Sequence, residues 1–234
     1  MPDLPRRTLR NVVIFRQLKS EAMARWEAQC KWKTFDAKES ILGADDETCD
    51  IFFLVEGRAQ VVIYSAGGRA VLFRDVAAGG MFGEFSAIDG KRRSASVEAT
   101  EPCLVACMTA SNFKKLLKRD NAVMMALLEH TVAQMRGLTS RVFEFSTLTV
   151  NNRIQAELVR LAQSGKASGG KGKCRQVCID PFPRQVDIAN RVSTHREAVT
   201  RELTSLKKQG IVARDGQALI VLDLDRLIRK VQDG

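Results

Sequence analysis

Residues 183–210 read PRQVDIANRVSTHREAVTRELTSLKKQG and contain two short apolar patterns with helical spacing. The first apolar face consists of Ile188, Ala189 and Val192, and the second of Val199, Leu203 and Leu206. Between them, residues 192–194 predict a tight turn, in which Ser193 or Thr194 caps the second helix ahead of Glu197. Two short helices joined by a tight turn in a basic segment are typical of a helix-turn-helix.

The segment that follows, GIVARDGQALIVLD at residues 210–223, predicts two strands around the hairpin dipeptide Asp215-Gly216 and therefore a wing. In such motifs the N-terminal half of the second helix enters the major groove of double-stranded DNA. The side chains predicted to read the bases are His195, Arg196, Glu197, Thr200 and Arg201. Those predicted to contact phosphates are Arg184, Thr194, Lys207 and Lys208. The alternative is a solvated helix with an ion pair between Glu197 and Arg201.

The charge distribution also favours a polyanionic partner. The 234 residues carry a formal net charge of +10, and the sequence pI is about 9.6. Residues 164–234 hold 14 Lys and Arg against 8 Asp and Glu, a net of +6, and begin with the basic loop SGKASGGKGK at 164–173. No apolar run approaches the roughly 18 residues of a membrane span, and the N-terminus does not resemble a signal peptide. The sequence therefore predicts a cytoplasmic protein with no membrane partner.

The six cysteines are expected to be reduced thiols in that compartment. Cys103 and Cys107 are four residues apart, as are Cys174 and Cys178, and neither pair has the CxxC spacing that metal sites favour. With only two histidines in the chain, we interpret these cysteines as small, half-buried residues, and predict no metal site.

The N-terminal half has short β-type runs separated by glycines, which indicates a small barrel or roll. These runs are residues 51–54, 58–64, 71–76, 96–98 and 104–108. A long helical stretch over residues 111–147 follows, and a hinge is predicted at 148–150. Apolar residues on this stretch recur every three or four positions, as in a helix that pairs with its own copy. This row, the seam of the helix, consists of Met125, Leu128, Val132, Met135, Thr139 and Val142.

Two questions about that helix stay open at this point. The helix could instead pack on its own domain. The polar Thr139, with Ser140 beside it, could set the register of a helix pair or serve a ligand at the interface.

The string GGMFGEFSAIDGKRRSASVEA, residues 79–99, resembles the phosphate-binding cassette of cyclic-nucleotide-binding domains. The matching positions are Gly83, Glu84, Arg93, Ser94 and Ala95. The resemblance implies that Glu84 accepts the ribose 2′-OH, and that Arg93 and Ser94 bind the cyclic phosphate. The backbone N–H groups of Phe85 and Ser86 add to the phosphate site. The alternative is a glycine turn followed by a basic loop, with Arg92 and Arg93 in solvent.

With the cassette, the chain resembles the CRP/FNR family of regulators over nearly its whole length. IFFLVEGRAQVVIY at 51–64 is similar to the core hairpin of the family's β-roll, and NRIQAELVRLA at 152–162 to the helix that opens its DNA-binding domain. The resemblance implies an α+β fold with three parts. These are a cyclic-nucleotide-binding β-roll at 1–118, a dimerisation helix and hinge at 119–149, and a winged helix-turn-helix at 150–234.

The resemblance further implies a homodimer that is switched by cAMP and binds a palindromic operator, with RNA polymerase as a further partner. Thr139 and Ser140 are similar to a Thr-Ser pair that reaches the purine from the two subunits. Arg196, Glu197 and Arg201 match three residues that read a TGTGA-like half-site. The alternatives are a dual cAMP and cGMP response, in which Ser94 serves guanine, and a nucleotide-binding module without a DNA target. An enzyme ranks last, because the sequence has no P-loop and no nucleophile–base pair.

Overall fold

Eight short strands build the N-terminal part of the computed structural model, which describes residues 7–65, 70–164, 166–167 and 176–232. They are β1 (Lys31–Phe35), β2 (Ser40–Leu42), β3 (Ile51–Glu56), β4 (Arg58–Tyr64), β5 (Ala70–Ala77), β6 (Met81–Phe82), β7 (Ser96–Ala99) and β8 (Cys103–Met108). The strands form two four-stranded antiparallel sheets, in the orders β1-β8-β3-β6 and β2-β7-β4-β5. The predicted β-roll is confirmed.

The first five residues of β3, 51–55, are all apolar because both faces of the strand are covered there. Alternate side chains of a strand point to opposite faces. Ile51 and Phe53 therefore join the core that the helices cover, whereas Phe52 and Leu54 join the core between the sheets. The run IFFLV lies in the middle of the domain for this reason.

The helices of this part are α1 (Ser20–Glu27), α2 (Glu84–Asp89), α3 (Ala110–Arg119) and α4 (Asn121–Thr147). The prediction of one continuous helix over 111–147 is wrong, because Asp120 separates α3 from α4. Asp120 has extended backbone angles, φ −128° and ψ 95°, and its carboxylate accepts a hydrogen bond from the amide of Val123 at 3.4 Å. The residue thus begins a new helix by capping it, without any glycine or proline.

The C-terminal part contains α5 (Val150–Ser164), α6 (Gln185–Arg191), α7 (Arg196–Lys208) and α8 (Leu224–Gln232). Its strands are β9 (Lys166–Ala167), β10 (Val177–Ile179), β11 (Val212–Asp215) and β12 (Ala218–Val221), in the sheet order β11-β12-β10-β9. The helices α6 and α7 form the predicted helix-turn-helix. Strands β11 and β12 form the wing, which turns at Gly216 with φ +53°.

The predicted cap of α7 is wrong. The residue before the helix is His195, and its side chain makes no capping hydrogen bond. Ser193 adopts a left-handed conformation with φ +52°, and the amide of Thr194 donates to the carbonyl of Ala189 at 2.9 Å. Both residues therefore close the turn after α6 and lie too early in the chain to cap α7.

The contacts of the chain divide it into two units, residues 1–136 and 137–234, and the boundary lies inside α4. Residues 168–173 of the predicted basic loop and Cys174 lie outside the described ranges. The five cysteines within those ranges are free thiols, and no cluster of three His, Cys, Asp or Glu suited to a metal occurs there. None of the helices described is both long and apolar enough to span a membrane.

Candidate functional site

The turn between β6 and α2 holds the first cassette residue, Gly83, in a left-handed conformation with φ +82°. A Cβ at this position would lie 2.7 Å from Nη1 of Arg93 and 3.0 Å from the carbonyl oxygen of Asp50. Only glycine combines this backbone conformation with so close an approach. The turn therefore brings the start of α2 directly against the Arg93 guanidinium.

Arg93 is buried, with 3% of its surface exposed, whereas the neighbouring Arg92 is exposed and pairs with Glu47. Its guanidinium donates to the carbonyl of Gly83 at 3.0 Å, to the carbonyl of Asp50 at 2.7 Å and to the hydroxyl of Thr48 at 3.2 Å. The guanidinium also lies 5.6 Å from the centre of the Phe52 ring. The alternative that both arginines lie in solvent is therefore wrong for Arg93 and holds only for Arg92.

Burial also lowers the pKa of the Arg93 guanidinium, although nearby acidic groups, among them Cys49 and Asp50, oppose the shift. A cation held in a partly desolvated position attracts an anion more strongly than one in water does. The arrangement suits a small anionic group such as a phosphate.

Glu84 begins α2 and is also buried, with 6% of its surface exposed. Its carboxylate lies 3.4 Å from Nη2 of Arg74, which also donates to the carbonyl of Met81 at 3.0 Å. Arg74 was missed by the sequence analysis. It could have been found from the alternation of the strand, because Arg74 lies between Leu72 and Val76 at the positions of β5 that point inwards.

His130 of α4 lies within electrostatic reach of this ion pair. Its pKa is lowered by burial and by the charge of Arg74, while Glu84 opposes the shift. A ring nitrogen of His130 lies 2.6 Å from the amide nitrogen of Gln134. Both causes, burial and the charge of Arg74, favour the neutral form of the His130 imidazole.

The remaining cassette residues differ in their exposure. Ser86 is buried, Phe85 and Ser94 are exposed, and Ala95 is half-buried. The first amides of α2, which include those of Phe85 and Ser86, have no acceptor within the helix. Thr139 and Ser140 are exposed on the part of α4 that belongs to the second unit, whereas the cassette belongs to the first.

The exposed face of α7 carries the residues predicted to read DNA. His195, Arg196, Glu197, Thr200, Arg201 and Lys207 are all exposed or half-buried at the surface, and Thr194 in the preceding turn is half-buried. The opposite face packs Val199 and Leu206 into the core of the second unit. No ion pair between Glu197 and Arg201 occurs among the described residues, so the alternative of a mutually paired helix face is not observed.

The side of this face towards the wing is strongly cationic. Arg184, Arg196 and Arg214 line one groove, and Arg214 lies 5.0 Å from the centre of the Phe182 ring. Arg184 pairs with Asp187 at 2.9 Å. Arg214 was missed by the sequence analysis, although a cation beside the hairpin turn was a usable signal. A groove with three arginines suits a nucleic acid, because both phosphates and the edges of bases accept hydrogen bonds from arginine.

One buried contact sets the position of α7. Glu202 is 6% exposed and accepts a hydrogen bond from the side-chain amide of Gln155 on α5 at 2.6 Å. No pattern in the sequence pointed to a role for this glutamate. A buried polar pair of this kind fixes the rotation of α7 and so decides which residues face outwards.

Comparison with known proteins identifies the two domains in which these residues lie. The family model for a cyclic nucleotide-binding domain matches residues 32–120, and the one for a Crp-like helix-turn-helix domain matches residues 152–230. The cAMP-activated global transcriptional regulator Vfr of Pseudomonas aeruginosa is 27% identical over 203 residues, which cover 83% of this chain and 90% of that protein.

Solved structures show the same fold. A CooA variant from Carboxydothermus hydrogenoformans matches with a TM-score of 0.79 and 16% identity, over 93% of this chain and 94% of that chain. The c-di-GMP responsive global regulator CLP of Xanthomonas campestris matches with a TM-score of 0.73 and 18% identity, over 88% and 99%. The predicted α+β architecture is confirmed.

The matched family consists of transcription regulators and not enzymes, and the Crp-like helix-turn-helix domain argues against a nucleotide-binding module without a DNA target. The nucleotide-binding domain comes first, the long helix α4 follows, and the helix-turn-helix domain ends the matched region. The chain belongs to the CRP/FNR family of cyclic-nucleotide-responsive, DNA-binding transcription regulators.

Proposed function

We propose that this protein is a homodimeric regulator that binds cAMP and then binds a palindromic operator with TGTGA-like half-sites. The observation that carries the proposal is the cassette, in which a buried arginine and a buried glutamate lie at the two sides of one glycine turn. DNA and RNA polymerase as partners imply that it acts in the cytoplasm.

The cassette offers each group that a cyclic nucleotide needs. The Arg93 guanidinium donates charge-assisted hydrogen bonds to the cyclic phosphate, and the Ser94 hydroxyl adds another. The Glu84 carboxylate accepts from the ribose 2′-OH, and Arg74 holds that carboxylate in place. Thr139 and Ser140 then contact the purine from the two subunits.

The choice of cAMP rests on the relatives, since Vfr is named as cAMP-activated. The fold itself does not fix the nucleotide, because the similar CLP structure is named as c-di-GMP responsive. A second candidate is therefore a dual response to cAMP and cGMP, for which the exposed Ser94 hydroxyl is available to a guanine amino group. Competition between the two nucleotides distinguishes these candidates.

The α4 seam supports the homodimer. Its apolar members are exposed in the single chain: Met125 is 53% exposed, Leu128 51%, Val132 47%, Met135 62% and Val142 65%. A row of large apolar side chains on one helix is covered in a soluble assembly, and a second copy of the same helix is the complementary partner. Two-fold symmetry of the dimer then requires a palindromic site, with half-sites one helical turn or roughly 34 Å apart.

Leu128→Glu is expected to weaken the dimer by about 100-fold or more, because a carboxylate would have to lose its water at the seam. Leu128 is half-exposed in the single chain, so the fold of the chain should survive. Sedimentation velocity over a concentration series measures the effect. The matched control is Glu129→Gln, an exposed neighbour outside the seam, which should leave the dimer intact; equal dimer stability in both variants contradicts the seam.

Gly83→Ala is expected to reduce nucleotide affinity about tenfold or more, because its Cβ would displace the Arg93 guanidinium. The positive φ adds a stability cost of about 1–2 kcal/mol. The matched control is Gly90→Ala at the other end of α2, where φ is +74° but an added Cβ would meet no atom within 4 Å. It should lose similar stability in thermal unfolding and keep nucleotide affinity in calorimetry; equal affinity loss in both variants contradicts the prediction.

Nucleotide binding acts by shifting a population between a state with low and a state with high affinity for DNA. The shift is limited to the difference in nucleotide affinity between the two states. Fluorescence anisotropy on a palindrome with two TGTGA-like half-sites tests the proposal, with no nucleotide, cAMP or cGMP at one fixed salt concentration. Tightening by cAMP alone supports it, and equal tightening by cGMP supports the dual response. Sequence-specific binding that neither nucleotide changes overturns the nucleotide switch.

A further inference from the structure

The last turns of α4 are fixed to the second unit by a buried ionic cluster. Glu157 of α5 is 1% exposed, and its carboxylate faces three arginines. Arg160 lies at 2.9 Å, Arg141 at 3.3 Å and Arg191 at 3.3 Å from its oxygens. A buried carboxylate is held by such partners, because its charge would otherwise be uncompensated.

The cluster joins three helices. Arg141 belongs to α4, and it also donates from Nη1 to the carbonyl of Arg191 at 2.9 Å, at the end of α6 in the helix-turn-helix. Glu144, one turn further along α4, pairs with Arg160 of α5 at 2.6 Å. Residues 141–144 are thus bound to both α5 and α6 on the far side of the break at 148–149.

These bonds bridge the segment 148–150, where the hinge was predicted. The amide of Leu148 still donates to the carbonyl of Glu144 at 2.9 Å, and the Arg160–Glu144 pair spans the break from one helix to the other. A pivot at 148–150 would have to break Glu157 away from Arg141. Burial makes that costly.

Gly137 is a weaker point in α4. It begins the second unit, and it lies in the interior of a helix of 27 residues. A Cβ added at this position would meet no heavy atom within 4 Å, so packing does not require glycine there. Glycine is the poorest helix former after proline.

We propose that α4 pivots at Gly137, and that Glu157 with Arg141, Arg160 and Arg191 keeps residues 138–147 attached to the DNA-binding domain. Glu157 is a positioning residue in this scheme. The inference rests on the proposed function, since it locates where nucleotide binding reorients the DNA-binding domain.

Hydrogen exchange measured by mass spectrometry on the full chain tests the attachment without nucleotide or DNA. In Glu157→Gln, amides of residues 138–147 are expected to exchange at least tenfold faster, while those of residues 121–134 keep their rates. Glu129→Gln is the matched control and should change neither segment. Unchanged exchange at 138–147 in Glu157→Gln, or an equal increase in both segments, overturns the attachment.

Arg141→Gln is the second variant, for the case that Glu157→Gln does not fold. It removes the bonds from Arg141 of α4 to Glu157 and to the carbonyl of Arg191, and it leaves Glu157 with Arg160 and Arg191. The same selective increase at residues 138–147 is expected, and its absence overturns the attachment.

Gly137→Ala tests the pivot. In this scheme α4 is straight in the state with high affinity for DNA. Alanine favours the straight helix, so DNA affinity without nucleotide should rise about fivefold, the equivalent of about 1 kcal/mol. Ser146→Ala, another exposed position of α4 on the far side of the cluster, should leave that affinity unchanged. An equal rise in both variants, or none in Gly137→Ala, overturns the pivot. If the unaltered protein shows no tightening with cAMP, the proposed function fails, whereas the exchange result stands independently.

Discussion

Arg93→Ala is expected to abolish cAMP-dependent DNA binding by lowering nucleotide affinity about 100-fold or more. Two charge-assisted hydrogen bonds to the phosphate would be lost, each contributing about 1.5 kcal/mol or more. Arg93 is the buried cation of the cassette. A cationic side chain in water would attract the phosphate more weakly, so it would not restore the lost affinity. Calorimetric titration with cAMP measures the loss directly, and anisotropy on the palindrome measures its consequence for DNA.

Loss of Arg93 also removes its bonds to the carbonyls of Gly83 and Asp50. The unpaired carbonyls should cost about 1–3 kcal/mol in the free energy of unfolding, which a domain with two apolar cores tolerates. Thermal unfolding without nucleotide therefore shows a folded variant with a lower Tm. This measurement separates lost binding from lost folding.

The neighbouring Arg92 provides the matched control. It carries the same charge one residue earlier, but it is exposed and pairs with Glu47 at 2.8 Å. Arg92→Ala should keep nucleotide affinity within about twofold, because exposed ion pairs contribute little. If Arg92→Ala and Arg93→Ala lose equal affinity, the loss reflects general charge, and the cassette assignment is wrong.

That Gly83, Glu84 and Arg93 lie together could be predicted from the cassette, whereas the contact that supports Glu84 could not. In the proposed function these three residues serve a turn, a ribose and a phosphate, and they lie close together in the sequence, at positions 83, 84 and 93. Arg74 supports Glu84 from β5, on the other side of the turn. That contact depends on how the strands are paired, and no local pattern around Arg74 specifies it.

Helix ends were predicted less well than helix faces. The seam of α4 and the apolar faces of α6 and α7 could be predicted because residues three or four positions apart lie on the same face of any α-helix. The break at Asp120 and the start of α7 at His195 depend on single backbone conformations. Aspartate is compatible with both a helix interior and a cap. Which of the two it adopts depends on how the flanking turns pack.

The cluster around Glu157 illustrates a different limit. From the sequence alone, Glu157 and Arg160 would be interpreted as an ordinary ion pair on the surface of α5. Arg141 and Arg191, which bury that pair, lie 16 and 34 residues away from Glu157. Only the fold shows that this glutamate is among the most buried side chains of the DNA-binding domain.

Arg196→Ala is expected to weaken binding to the palindrome about 10- to 100-fold and to relax specificity at one base pair of each half-site. An arginine at the start of a recognition helix donates two hydrogen bonds to guanine O6 and N7, worth about 1–3 kcal/mol against the wrong base. Arg196 is exposed in the first turn of α7, beside Arg184 and Arg214 in the same groove. Anisotropy on a set of duplexes with single base changes measures both effects.

Lys207→Ala provides the comparison that separates base reading from phosphate binding. Lys207 is exposed in the last turn of α7, so its loss should weaken all duplexes equally and reduce the salt dependence by about one charge. Arg196→Ala should instead change the ranking of the duplexes. Nucleotide affinity measured without DNA should stay at the level of the unaltered protein in both variants, because neither residue belongs to the cassette. If Arg196→Ala weakens every duplex by the same factor, Arg196 binds phosphate, and the base-reading role must pass to Glu197 or Arg201, which share its exposed face.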